Sequence, residues 1–306
     1  MRAVERSRLP PSGLVLLGLI ALGWGFSWPA IKIVLTEVAP LTFRTACLLG
    51  GGGGLLVLAR IAGQPLRVPA RLWGRLLALS ATGIVAWNVF VVYGIALLPS
   101  GRAALLAYTM PLWSAVLSVW LLGERLTARR ALSLVLGMAG VTTLLGADVA
   151  GMTGAVYGVV LMLAAAMAWA LSMVLLKRFA LPIPTSVLTA WTMVAGGVPI
   201  AGVAIVLEHG RWHPVTARAG IALTYSVVIA FMFCYWAWNR LVLMVPVAVS
   251  SISSLVTPVI GVLSSIWLLG DPLTWREITA GACILGAVAL VLRPRERAAV
   301  ARSPAT

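Results

Sequence analysis

Residues 99–127 read PSGRAALLAYTMPLWSAVLSVWLLGERLT, and residues 246–274 read PVAVSSISSLVTPVIGVLSSIWLLGDPLT. Laid over one another at an offset of 147, Pro99 falls on Pro246, Pro111 on Pro258, Ser118 on Ser265 and Trp120 on Trp267. Leu121-Leu122-Gly123-Glu124 then meets Leu268-Leu269-Gly270-Asp271, and Leu126-Thr127 meets Leu273-Thr274. The offset is close to half of the 306 residues. A fainter echo at an offset of 145 sets Trp24, Ser27 and Lys32 against Trp169, Ser172 and Lys177. The expectation is two related halves, residues 1–147 and 148–306, joined in one integrated unit.

Around this repeat the chain is 61% hydrophobic and only 10% charged, well below the roughly 25% charged of a soluble domain. Apolar runs of about 20 residues, the length a helix needs to cross a hydrocarbon core, recur along almost the whole sequence. The fold class expected is an all-α polytopic membrane protein. Ten spans are expected, at 13–35, 40–59, 74–98, 101–122, 129–146, 154–176, 185–207, 217–243, 246–269 and 275–292. Five spans per half put the second half into the membrane upside down, as two inverted five-helix repeats. The first apolar run, Gly13 to Leu35, is too long for a signal-peptide core and is expected to stay as a span.

The net charge of +15 would suggest nucleic acid in a soluble chain, but here it has another origin. With both termini cytoplasmic, seventeen of the 23 basic residues fall on inner segments, the bias expected of loops that face the cytoplasm. The repeated terminal loop shows it locally. Its inner copy carries Glu124, Arg125, Arg129 and Arg130, and its outer copy Asp271, Pro272, Arg276 and Glu277. An inner (plasma) membrane location and no nucleic-acid partner follow as expectations.

All eight carboxylates, Glu5, Glu37, Glu124, Asp148, Glu208, Asp271, Glu277 and Glu296, lie in termini, loops or span ends. A proton relay or a carboxylate-pair catalyst in the bilayer has nothing to work with. No span holds a histidine to activate a serine, so no enzyme is expected. His209 and His213 flank a loop glycine and read as solvated residues rather than a metal site. Cys47, Cys234 and Cys283 sit inside apolar runs without a paired spacing. Gly50 to Gly54 has no strand before it and no Lys-Ser/Thr after it, so it reads as a close helix–helix approach and not as a phosphate loop. No cofactor and no metal are expected.

What the spans do hold is aromatic and hydroxyl. Trp24 and Ser27 share a helix face, Trp169 and Ser172 repeat them, Tyr108 and Ser254 lie deep in other spans, and Asn88, Tyr235 and Ser251 also lie within spans. Such side chains suit the wall of a small-molecule pocket. The competing reading is interfacial Trp and Tyr, with serines bonded to their own helix carbonyls. It fits Trp120, Trp212, Trp267 and Trp275 near span ends. Pro111 and Pro258, at matched places, interrupt helical hydrogen bonding and are candidate hinges. Lys32 and Arg44 are expected to snorkel or pair with Glu37, with attraction of an anionic group at the outer mouth as the alternative.

Trp24-Gly25 followed by Ala30 and Lys32, Pro40 followed by Arg44, and Pro111 followed by Leu122-Gly123-Glu124-Arg125-Leu126 resemble the drug/metabolite transporter superfamily, in its EamA-type members. The second copy departs in having Asp271-Pro272 where the first has Glu124-Arg125. The resemblance covers the whole chain. It implies a ten-helix exporter with a central cavity walled by spans one, three, four, six, eight and nine, and with spans five and ten packed together on the far side. Among such proteins the Trp- and Tyr-rich spans are most similar to the aromatic amino-acid exporters. The function implied is export of small metabolites, amino acids included, by alternating access across a lipid bilayer. An exporter of lipophilic cations or drugs is the nearer alternative and a lipid-head-group flippase the farther one. A monomer is one expectation among the oligomeric states that the sequence leaves open.

Overall fold

The computed structural model describes residues 11–122, 128–145, 153–179, 181–238 and 247–292. The inner copy of the repeated loop, residues 123–127, lies outside this set, as do both termini.

Every element among the described residues is helical. Helices α1 (Pro11–Leu35) and α2 (Pro40–Ile61) are joined by a short turn. A compound helix, Ala70–Leu97, follows; it opens with a short 3-10 turn and continues as α3 (Trp73–Leu79), a π-helical segment (Ser80–Ala86) and α4 (Trp87–Leu97). Next come α5 (Ser100–Ala107), α6 (Met110–Leu122), α7 (Ala128–Leu145), α8 (Thr153–Phe179) and α9 (Thr185–Glu208). A second compound helix, Ala217–Trp238, consists of α10 (Ala217–Tyr225), a π segment (Ser226–Phe233) and α11 (234–238). The last two helices are α12 (Val247–Leu269) and α13 (Trp275–Leu292). Among the described residues six stretches are long and apolar enough to cross a membrane: Val15–Leu35, Pro40–Ile61, Ala70–Leu97, Ala155–Leu176, Thr185–Arg211 and Ala217–Trp238. The protein is a multi-pass helical membrane protein.

Packing is reciprocal between the early and late parts of the chain. Helix α2 lies on α9 and α7 on α13. Helix α1 lies on α12 while α8 lies on α5 and α6; α2 meets the late π segment while α9 meets the early one. Small residues make the tightest approaches possible. A Cβ on Gly52 would stand 3.0 Å from Met193 and 3.1 Å from the Ala190 carbonyl, and one on Gly140 would stand 3.0 Å from the Ala280 carbonyl. The glycine run is therefore a contact face for α9 and for the π segment, against which Gly51 sets Phe231.

The polar residues sort to two ends. At one end four carboxylates each meet a helix N-terminus, where unpaired N–H groups and the helix dipole favour an anion. Glu208 accepts from the Leu41 and Thr42 amides (3.0 and 2.7 Å) and from the Thr42 hydroxyl (2.8 Å) at the start of α2. Glu37 accepts from the Thr216 amide (2.7 Å) and hydroxyl (2.6 Å) at the cap of α10. Asp271 accepts from Ser100 (3.0 Å) and from the Gly101 amide (3.3 Å) at the start of α5. Glu277 accepts from the Thr274 amide (3.0 Å) before α13 and pairs with Arg102 at 2.6 Å. The other end carries Arg60, Arg67, Arg71, Arg75 and Arg178. It is tied by Ser186 to Gln64 and by the Trp191 indole to the Leu66 carbonyl (2.8 Å).

The two proline positions differ. Helix breaks at Tyr108–Thr109, just before Pro111, where the missing N–H leaves the Ala107 carbonyl without its helical partner. Thr109 instead bonds the Leu106 carbonyl through both its hydroxyl (2.7 Å) and its amide (3.1 Å). At Pro258, α12 runs through without a break. The Tyr108 hydroxyl meets the side chain of Thr257, so the two proline sites face one another.

Candidate functional site

The π segments begin 146 residues apart, at Ser80 and Ser226. A π-helical turn widens the helix and displaces backbone carbonyls from their usual partners, and such turns gather at functional sites. Here the displaced carbonyls receive side chains. Ile84 and Ala230, also 146 apart, accept from the Asn88 amide (2.9 Å) and the Trp24 indole (3.0 Å) respectively.

This splits two tryptophans that the repeat pairs. Trp24 is held by its indole N–H, packs edge-on to Tyr235 with ring centroids 5.6 Å apart, and leans on Trp238 at 5.8 Å. On the other side the equivalent carbonyl is already taken by Asn88, and Trp169 makes no side-chain hydrogen bond among the described residues. Its ring stands 5.0 Å from Trp87 and 6.1 Å from Tyr235. The serines split the same way. Ser27 donates to the Trp24 carbonyl of its own helix (2.6 Å), whereas Ser172 lines a cavity.

That cavity, about 90 Å³, lies between Ala70–Leu97, α8, α9 and Ala217–Trp238. Trp169, Tyr235, Trp238 and Met173 give it aromatic and apolar walls, and Ser172, Thr185, Thr189 and Thr192 supply hydroxyls. Gly83 leaves room beside Ser172, since a methyl group there would run into the Ser172 side chain. The cavity sits toward the arginine-rich end, where Leu176 and Thr185 border it and Arg75 donates to the Phe179 carbonyl (3.4 Å). Of the expected site residues, Trp169, Ser172 and Tyr235 line it directly. Trp24 and Asn88 stand behind that wall, and Tyr108 packs against Trp28 at 6.4 Å, away from the cavity. Ser251 and Ser254 lie on α12, but their side chains fall outside the described residues.

Lys32 neither snorkels nor pairs with Glu37. Its ammonium donates to the Ile95, Ala96 and Leu98 carbonyls (2.8, 3.1 and 2.9 Å), a cation at the C-terminus of α4. Arg44 does not reach the interface at all. It is only 2% exposed, with its guanidinium over the rings of Phe43 (5.0 Å) and Phe231 (5.7 Å). Sequence reading placed this residue at a span end. The signal available, an arginine one turn inside an apolar helix, does not say which way the side chain turns.

An all-helical membrane protein with an aromatic cavity between reciprocally packed helices has the build of a small-molecule carrier. The EamA-like transporter family matches the chain twice, over residues 11–146 and 156–293, and the chain belongs to that family. A probable amino-acid metabolite efflux pump of Salmonella typhimurium is 27% identical over 280 residues, covering 87% of this chain and 90% of its relative. The uncharacterized transporter YvbV of Bacillus subtilis is 26% identical over 285 residues, 90% of each chain. A solved crystal structure with 24% sequence identity shares the fold, with a TM-score of 0.67 over 92% of this chain and 96% of its own.

Proposed function

We propose that the protein is an exporter of amino acids, aromatic ones included, that works by alternating access in the cell's inner membrane. It has ten spans arranged as two inverted five-helix halves, 1–147 and 148–306, with both termini cytoplasmic. The observation that carries the substrate reading is the cavity where Trp169, Tyr235 and Trp238 face Ser172, Thr189 and Thr192. Aromatic walls suit a ring or an apolar side chain, and the hydroxyls suit a polar head. Two relatives, from Salmonella typhimurium and Escherichia coli, bear the name of probable amino-acid metabolite efflux pumps, which fits.

The inverted halves are supported by the double family match, the reciprocal packing and the two π segments. The orientation is supported by charge: the arginine-rich end takes the cytoplasmic side and the carboxylate-capped end the outside. On this reading the outer end is shut by Lys32, by the Ser100–Ser265–Asp271 cluster and by Arg102–Glu277, and the cavity belongs to the cytoplasmic half. Export requires these outer ties to part. Tyr108–Thr109 and the helix around Pro258 are the places where α5, α6 and α12 bend.

The test is flux through the purified protein in liposomes. Trp169→Ala and Ser172→Ala lower the rate of labelled phenylalanine transport at unchanged protein abundance, while Ser27→Ala leaves it near wild type. Equal rates for all three variants would remove the cavity from the transport path. A lipophilic-cation exporter is disfavoured by the buried cation of Arg44 behind the Tyr235 wall.

A further inference from the structure

We propose that Arg44 anchors the carboxylate, and Asn88 the ammonium, of an α-amino acid whose side chain occupies the aromatic cavity; this rests on the transport function above. Arg44 is buried, and neither its Nε nor its Nη2 finds a hydrogen-bond partner among the described residues. A guanidinium taken out of water without an anion is costly, and native structures pair such groups. The described carboxylates do not supply the anion. Glu37, Glu208, Asp271 and Glu277 are each committed to a helix N-terminus, and among the described residues none of them forms a salt bridge with Arg44. Glu5, Glu124, Asp148 and Glu296 belong by sequence to termini and connecting loops. No described carboxylate balances Arg44, and the anion assigned to it comes from outside the chain.

A second orphan stands beside the cavity residue Ile84. Asn88 is fully buried, and its Nδ2 is used on the Ile84 carbonyl while its Oδ1 has no partner. The Arg44 guanidinium lies 5.7 Å from the Phe231 ring, which stands 5.6 Å from Tyr235, and Asn88 is bonded to Ile84; both Tyr235 and Ile84 line the cavity. Tyr235 is the shared wall: it borders the cavity beside Trp169 and Trp238, and on its other side it packs on Phe231, over which the Arg44 guanidinium lies. Substrate entry turns that ring aside and extends the cavity to Arg44 and Asn88. The forked N–H groups of Arg44 then receive a carboxylate in bidentate fashion. The Asn88 oxygen accepts from the ammonium. The two unsatisfied groups have the complementary polarity of an amino acid's two ends.

The test uses the full-length protein in lipid nanodiscs with three probes: L-phenylalanine, L-phenylalaninamide, which lacks the carboxylate, and 3-phenylpropionate, which lacks the ammonium. Wild type binds phenylalanine more tightly than the amide by roughly tenfold or more, the scale of one charge-assisted contact. Arg44→Met, which keeps the stem's volume, removes that preference, leaves amide affinity unchanged, and does not lower the melting temperature of the ligand-free protein. Arg44→Lys keeps charge without the fork and gives an intermediate ratio. Asn88→Leu removes the preference for phenylalanine over 3-phenylpropionate and leaves the preference over the amide. An Arg44→Met protein that melts earlier while keeping the wild-type ratio would make Arg44 a packing residue and overturn the proposal. Chloride stabilising wild type but not Arg44→Met, with no response to any carboxylate, would likewise overturn it in favour of an inorganic-anion site. Arg44-dependent binding of 3-phenylpropionate without phenylalanine would uphold the carboxylate anchor and sink the amino-acid substrate.

Discussion

Trp24 and Trp169 occupy matched places in the two repeats, yet the same substitution in each should act on different properties. Trp24→Phe deletes the indole N–H that satisfies the Ala230 carbonyl at 3.0 Å. That carbonyl lies in a π segment, away from water, so its loss of a partner counts nearly in full. The cost is about 1–2 kcal/mol, toward the upper range for interhelical bonds in membranes. The ring contacts with Tyr235 and Trp238 survive in part with phenylalanine. For a chain of this size that cost lowers the melting temperature by roughly 1.5–3 °C. Trp169→Phe deletes an N–H with no partner among the described residues and keeps the packing on Trp87 and Tyr235. Its stability should stay within about 0.5 kcal/mol of wild type, while transport and ligand affinity fall. Thermal unfolding in nanodiscs and flux in liposomes measure the two readouts separately. Equal destabilisation by both variants, or a flux defect confined to Trp24→Phe at unchanged stability, would refute the division of roles.

Three further outcomes follow from the helix ends and the glycine face. Glu208→Ala strands two α2 amides and should cost about 2–4 kcal/mol; Glu208→Gln keeps one acceptor and costs less, so a melting temperature equal to wild type in Glu208→Ala would be inconsistent with the cap. Glu37 titrates below its ordinary value of 4.5, chiefly because the Thr216 hydroxyl and then the Thr216 amide donate to it. Its contribution is therefore present above the ordinary value and is lost as pH falls through the lowered one. The stability gap between wild type and Glu37→Gln should close in acid, and a gap that is constant from neutral pH to pH 3 would contradict this. Gly52→Val meets Met193 and the Ala190 carbonyl and should abolish the folded yield, whereas Gly53→Val, with nothing within 4 Å, should be tolerated; similar yields would show that α2 and α9 do not pack through Gly52.

Sequence reading served best where one physical force dominates. Hydropathy pointed to long apolar helices, six of which the described residues contain, because a chain in lipid must satisfy its own backbone hydrogen bonds and a helix does so within one segment. The carboxylates read as residues of termini, loops and span ends, and for Glu37, Glu208, Asp271 and Glu277 the structure adds the helix N-terminus that each one caps. The glycine run was legible as a packing face because small residues have few other uses within a span. The site was harder. Trp24 and Trp169 are identical by repeat, and their fates diverge through a third residue. Asn88 takes the Ile84 carbonyl on one side, while the residue 146 further on is Cys234, a weak donor, so the Ala230 carbonyl is left for Trp24. No pattern in α1 or α8 carries that information. The π segments contain no proline and no distinctive residue, so their widening belongs to the tertiary packing. Arg44 and Lys32 were read by their distance from span ends. That distance does not register that Lys32 can reach the carbonyls closing α4, or that Arg44 is roofed by Phe43 and Phe231.

The most direct measurement is uptake of labelled tryptophan, phenylalanine and threonine into liposomes holding the purified protein, with and without a pH gradient. Saturable uptake, competition among the three and loss of flux in Trp169→Ala are the results predicted for an amino-acid carrier. Insensitivity to the pH gradient would mark it as a facilitator, in keeping with the absence of any carboxylate deep within a span. No uptake of any amino acid, with a lipophilic cation such as tetraphenylphosphonium carried instead, would contradict the proposed function.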